Sequence, residues 1–225
     1  MRASRASAAS RRSWKKPHGR EGVTGGAVPL VMASSMDYSH ERLGRIPVEQ
    51  LTAEQREAIE AFTAARDAPD IFGPFIPLLW SPDLMVLTRA MGDYLRYKSA
   101  FAPRLSEFII LITARHWTQQ YEWSLHYPIA IASGVDPSVA DAIADGRRPQ
   151  GMPEDQEILY DFCTELIQDK SVSDATYARA LSTFGEKGVI DAVSITGYYT
   201  LLAMVLNTAR TPPDPGTPPL APLPR

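Results

Sequence analysis

Cysteine is almost missing from this chain: its 225 residues include only Cys163. A lone thiol forms no intramolecular disulfide, no CxxC redox pair and no cysteine cage for zinc. A His-x3-His pair and a dense carboxylate cluster are also lacking, so no metal and no cofactor is expected. Strand-like alternation of apolar and polar residues is absent, which leaves helices as the source of any core. No uninterrupted apolar run reaches the length of a bilayer crossing; the longest, Phe108–Ile112 and Leu201–Leu206, suit buried helices, so no membrane partner is expected. Basic residues are scarce outside one end. Seven of the 23 Lys and Arg fall in residues 1–35 against a single acid there, Glu21, and the remainder is acidic. An acidic body without a basic stripe argues against nucleic acid as a partner.

What is present divides into three parts. Residues 1–35, rich in Arg, Ser and Ala, lack the apolar segment of a secretory signal. They read as a targeting leader or as disordered sequence ahead of Met36, and the expected location is cytoplasmic unless that leader directs the chain to an organelle. Residues 211–225 hold seven prolines and read as an extended tail. The working domain is then 36–210.

That domain reads as all-α, a compact multi-helix unit. Thr52 and Gln55 have capping-box spacing ahead of Ile59 and Phe62. The stretch "APDIFGPFIPLLWSP" carries too many prolines for a helix and too many large apolar groups for an exposed segment, so an ordered apolar loop is expected, with Trp80 inside. Pro82 opens a helix with Leu84, Leu87, Met91 and Leu95 on one stripe. Pro103 opens another through Glu107 towards Arg115, and a further one spans Tyr121 to about Ser133 and stops at Gly134. Asp136 caps a short helix, residues 154–168 form another, and Ser173 starts a segment to Phe184. The last helix, about 186–207, is apolar on most sides and is expected to be central or at an interface.

Within "QQYEWSLH", Glu122 and His126 stand four residues apart and share a helical face, where a carboxylate beside an imidazole fixes its tautomer and raises its basicity. The plain alternative is an exposed pair that stabilises a helix slightly. Glu107, on the preceding helix, reaches the same place if the two helices run antiparallel. Cys163 falls beside Phe162 on a different helix and reads as a small buried hydrophobe. His116 reads as a helix-end residue, and His18 and His40 as solvated.

Glu107, Gln119, Glu122 and His126 are spaced E-x11-Q-x2-E-x3-H. This resembles the carboxymuconolactone decarboxylase/alkylhydroperoxidase D superfamily, whose peroxidase branch carries E-x11-C-x2-C-x3-H. Glu107 and His126 match without a gap; Gln119 and Glu122 stand where that branch has its two cysteines. The segments "RLSE", "ITAR" and "YEW-x-x-H" are similar to decarboxylase-like members, and the resemblance covers roughly residues 45–207. It implies an AhpD-like helical fold, a homo-oligomer (dimer, trimer or hexamer), and a cofactor-free lyase or isomerase that moves protons on a small carboxylated lactone or aromatic-degradation intermediate.

Under that resemblance His126, Glu122 and Glu107 are the catalytic candidates. Arg104 and Arg115 are candidates for holding the substrate carboxylate, with Gln119, Tyr121 and Tyr198 (beside Tyr199) as further binding groups. The structural alternative for Arg104 is an i,i+3 ion pair with Glu107. Two other functional readings stay open: a non-catalytic helical oligomer that binds a hydrophobic ligand or a protein, and a hydroperoxide reductase relying on Cys163 alone.

Overall fold

Helix starts follow local chemistry. Thr52 Oγ1 accepts from the Gln55 backbone while the Gln55 side chain accepts from the Thr52 backbone, so the expected capping box is formed. Ser173 and Asp136 cap their helices by accepting from Thr176 N and Ser138 N. In this computed structural model, residues 40–213, 220 and 221 are described. After a 3-10 turn, Val48–Gln50, come α1 Ala53–Arg66, α2 Phe75–Leu78, α3 Pro82–Tyr97, α4 Pro103–His116, α5 Gln120–Ala132, α6 Pro137–Ala144, α7 Glu154–Asp169 and α8 Asp174–Ala209. Among the described residues there is no strand, and the fold is all-α. The expected leader 1–35, the first residues of the 36–210 domain and most of the tail lie outside the described residues.

The central element is α4. Every side chain from Leu105 to Arg115 is buried, because α5, α6, α7, α8 and α3 all pack around it. Phe62, Phe108 and Phe162 are fully enclosed, each contributing roughly 1.5–3 kcal/mol of hydrophobic burial. A three-residue connection, Trp117 to Gln119, returns the chain into α5, so α4 and α5 run antiparallel.

Four sequence expectations change here. The proline-rich stretch holds one helical turn, α2, with Pro77 in its first turn, where no backbone donor is lost; Phe75 and Leu78 are buried as expected but Trp80 is 54% exposed. On α3, Leu95 is buried while Leu84, Leu87 and Met91 face outward, with Leu87 68% exposed; the inward face is Met85, Thr88, Gly92 and Leu95. Gly92 is there for space: a Cβ would lie 2.3 Å from the Tyr198 hydroxyl. The tail is not simply free, since Leu220 is buried and exchanges two hydrogen bonds with the Gln120 side chain.

The fourth concerns α8, which by length and composition is apolar enough to cross a bilayer, although no single run shows it. Most of that apolar window is buried against the rest of the protein. The helix is also broken, as the separate segments ending at Phe184 and beginning near residue 186 anticipate: Gly185 takes φ 66° and ψ 178°, a conformation essentially reserved for glycine. Past that break α8 turns one face to α3 and α4 and leaves Ile190, Val193 and Met204 outside.

Candidate active site

The antiparallel return of α5 along α4 brings Glu107 against His126, nineteen residues on. His126 Nδ1 donates to Glu107 Oε2 at 2.6 Å, both groups buried. Arg96 from the last turn of α3 donates to the other Glu107 oxygen at 3.4 Å. Burial alone would raise the Glu107 pKa; the charges and hydrogen bonds of His126 and Arg96 outweigh it and hold the carboxylate below its ordinary value. With Nδ1 committed to Glu107, Nε2 is the nitrogen that can trade a proton with a bound molecule. The Tyr199 ring meets the imidazole edge-on, centroids 5.1 Å apart, and locks its plane.

Glu122 behaves in the opposite way. Its side chain is 2% exposed, and neither oxygen has a hydrogen-bond partner. Burial therefore pushes its pKa well above the ordinary value, which favours the neutral acid. Here the expectation is corrected. The acid that grips His126 is Glu107, reached across the helix pair, while Glu122, one turn away on the same helix, makes no hydrogen bond to the imidazole. The reason is that α5's own geometry only permits an i,i+4 contact, whereas the packed α4 face offers a carboxylate at bonding distance.

Both Glu122 and His126 line one small cavity of about 40 Å³, closed by Arg66, Arg96, Tyr121, Tyr198 and Tyr199 with Phe72, Phe75 and Leu202. Tyr121 and Tyr198 both line this cavity, and burial raises the Tyr198 phenol to about 12, so it stays a neutral donor. Gly73, at φ 57°, lets the α1–α2 connection pass close over the Tyr121 ring; a Cβ there would sit 2.8 Å from its hydroxyl.

The other three candidates lie elsewhere. Arg104 is partly exposed and ion-paired with Asp155, neither in the cavity nor bonded to Glu107. Arg115 opens onto a different cleft, with Ile112, His116 and Tyr160. Gln119 is the N-cap of α5: its Oε1 accepts from Glu122 N at 2.8 Å and its Nε2 donates to Asn207, so it builds the helix start and does not face the cavity. The arginines that do line the cavity, Arg66 and Arg96, sit in the last turns of α1 and α3. A signal for them existed in Gly92, a costly residue for a helix interior that marks a close approach of α3 to another element.

Cys163 is fully buried, accepts a hydrogen bond from the Thr196 hydroxyl at 3.6 Å, and has its thiol pushed up to about 12 by burial. His40 is exposed, and His18 lies outside the described residues. Among the described residues no group of three His, Cys, Asp or Glu side chains is placed to hold a metal ion.

The helical arrangement is an AhpD-like fold. Two solved structures carry that likeness. The alkylhydroperoxidase AhpD core of a peroxidase-related protein from Ralstonia eutropha JMP134 superposes with a TM-score of 0.61 at 20% identity, over 78% of this chain and 95% of that one. A peroxidase-related protein from Silicibacter sp. TM1040 gives a TM-score of 0.61 at 14% identity, over 85% of this chain and 96% of that one. No family model and no curated protein sequence matches the chain.

Proposed function

We propose that the chain is a cofactor-free acid–base enzyme, a lyase or isomerase of small carboxylated lactones or related ring acids. The observation that carries this reading is geometric: behind the cavity wall the buried Glu107 bonds His126 Nδ1 and Arg96, while Glu122 lines the cavity buried and with no hydrogen-bond partner, and the surroundings push the two carboxyl pKa values in opposite directions. Such a divergence separates a base from an acid at the same pH. Glu107 acts through the imidazole, fixing the proton on Nδ1 so that the Nε2 lone pair accepts a proton from substrate. Glu122 then donates its own proton to charge developing on the other side, and the neutral phenols of Tyr198 and Tyr121 supply further donors. Arg66 and Arg96 take the role first expected of Arg104 and Arg115 as cationic wall for a substrate carboxylate.

A cavity of 40 Å³ is small for a ring acid. A ring acid therefore needs the wall to give way, and the connection at Gly73, which passes close over Tyr121, is the proposed entry. The fully buried Cys163, with its raised pKa, supports a proton-transfer reading over thiol chemistry, because the thiolate is the nucleophile of such chemistry. The test is turnover of carboxymuconolactone-type substrates, followed by loss of ultraviolet absorbance, in wild type and His126→Ala. Turnover in wild type with at least a hundredfold loss in the variant is expected, on the scale of general-base catalysis, roughly 10²–10⁴-fold; equal rates remove His126 from the reaction.

The exposed apolar faces favour self-association as well. Leu84, Leu87, Met91 and Tyr94 on α3 and Ile190 and Val193 on α8 are exposed, and the Tyr94 hydroxyl links the two helices by donating to Asp191. At roughly 150–250 Å² for an aromatic side chain and less for an aliphatic one, these faces and Trp80 offer several hundred Å², against about 800 Å² per partner in a standard interface. A second copy of this chain is the proposed occupant. Light scattering is expected to give an oligomer for wild type and a monomer for the double variant Leu87→Glu, Ile190→Glu; a monomeric wild type sinks this reading.

A further inference from the structure

Where α4 meets α6 and α7, a second cleft of about 90 Å³ opens, separate from the His126 cavity. Its wall combines three isoleucines, Ile112, Ile143 and Ile167, with the donors Arg115, His116 and Tyr160. Arg115 is the anomaly. It is 4% exposed, the one arginine among the described residues buried to that degree. Four of the partly buried arginines hold a carboxylate: Arg66 and Arg89 share Asp93, Arg96 holds Glu107, and Arg104 holds Asp155. Among the described residues Arg115 has no such ion pair. Its Nη1 donates to the Ala221 carbonyl at 2.8 Å and its Nη2 to the Thr118 hydroxyl at 3.3 Å, both neutral acceptors, and its Nε has no partner.

A buried cation without a counter-charge is costly, so the cleft is short of one negative group. The acid whose field reaches Arg115, Asp145, is itself bonded to Arg147 at 2.8 Å, and both of those side chains are well exposed. Lys170 adds positive field at His116. The planar guanidinium favours a carboxylate over a point anion, and the aliphatic half of the wall favours one with a short apolar body. A cleft of about 90 Å³ suits a small acid of a few carbons.

We propose that this cleft binds a small organic monocarboxylate, its oxygens on the Arg115 guanidinium and its carbon chain against the isoleucines. The site is independent of the His126 cavity and carries no chemistry of its own.

The test uses the full chain and the imidazole NMR signals of His116, assigned through His116→Gln. Butyrate is titrated in, with inorganic phosphate and chloride at matched ionic strength in parallel. A saturable His116 shift with butyrate, at least tenfold weaker with phosphate and absent with chloride, is the expected result. No saturation with butyrate, or an equal response to all three anions, overturns the proposal. Arg115→Gln is expected to abolish the saturation. Should that variant not fold, Thr164→Met fills the cleft from its rim without touching Arg115, and retained butyrate binding in it also overturns the proposal.

Discussion

Glu122→Met is expected to make the protein more stable and catalytically silent. The wild-type carboxyl is buried with no hydrogen-bond partner, and an unpaired polar group of this kind costs about 1–3 kcal/mol. Methionine has nearly the same reach and brings no polar oxygen. The pH dependence gives the sharper signature. A carboxyl whose folded pKa is raised binds its proton in the folded state after the unfolded chain has lost it. Stability therefore falls as pH rises above the ordinary value of 4.5, by about 1.4 kcal/mol per pH unit until the folded group ionises. The variant's advantage is absent near pH 4, apart from the polar-burial term, and grows towards pH 8. At roughly 2–4 °C per kcal/mol for a chain of this size, a gain of several degrees in Tm at pH 8 is expected. Thermal melts of both proteins from pH 4 to pH 8 measure it; a difference that does not change with pH means that Glu122 is not held protonated.

Glu107→Gln is expected to damage both stability and rate. Removing one member of a buried charged cluster leaves Arg96 without its carboxylate, a loss of about 3–5 kcal/mol at neutral pH. The sign with pH is opposite to that of Glu122. Glu107 has a depressed folded pKa, so its contribution is present above 4.5 and disappears as pH falls through the folded value. The gap between wild type and variant should close in acid. The amide also presents a donor as readily as an acceptor to Nδ1, so the imidazole no longer keeps its proton on that nitrogen. Loss of a tautomer-fixing carboxylate costs on the order of 10³–10⁴ in kcat where the same arrangement has been dissected. Single-turnover rates at a temperature where the variant is folded, judged by circular dichroism, separate the two effects. A folded variant with wild-type kcat and pH profile assigns Glu107 a purely structural role.

Legibility in the sequence followed the range of the interaction. Helix starts and stops were readable because caps and breaks are local: the Thr52–Gln55 box, Pro103 at the head of α4, Gly134 after α5, and the interruption between Phe184 and residue 186. The face that each helix buries was less readable. On α3 the apolar stripe of Leu84, Leu87 and Met91 points outward, while Thr88 and Gly92 point in, because Gly92 is needed for Tyr198 and the stripe is left exposed among the described residues. The site showed the same division. Glu107 and His126 were identified by their spacing, yet their direct bond depends on how α5 folds back, and the nearer Glu122 was first credited with it. Arg66 and Arg96 went unnoticed because Gly92 marks a close approach of α3 without pointing to either arginine; only the packing of α1 on α3, and of α3 on α8, turns them to the cavity.

The break at Gly185 also separates what can vary from what cannot. A continuous helix would transmit rotation, so that one inserted residue upstream would swing every later side chain by about 100°. The extended ψ at Gly185 uncouples the two halves. Residues 174–184 are thereby able to gain or lose length against α7 while Tyr198 and Tyr199 keep their bearing on the imidazole.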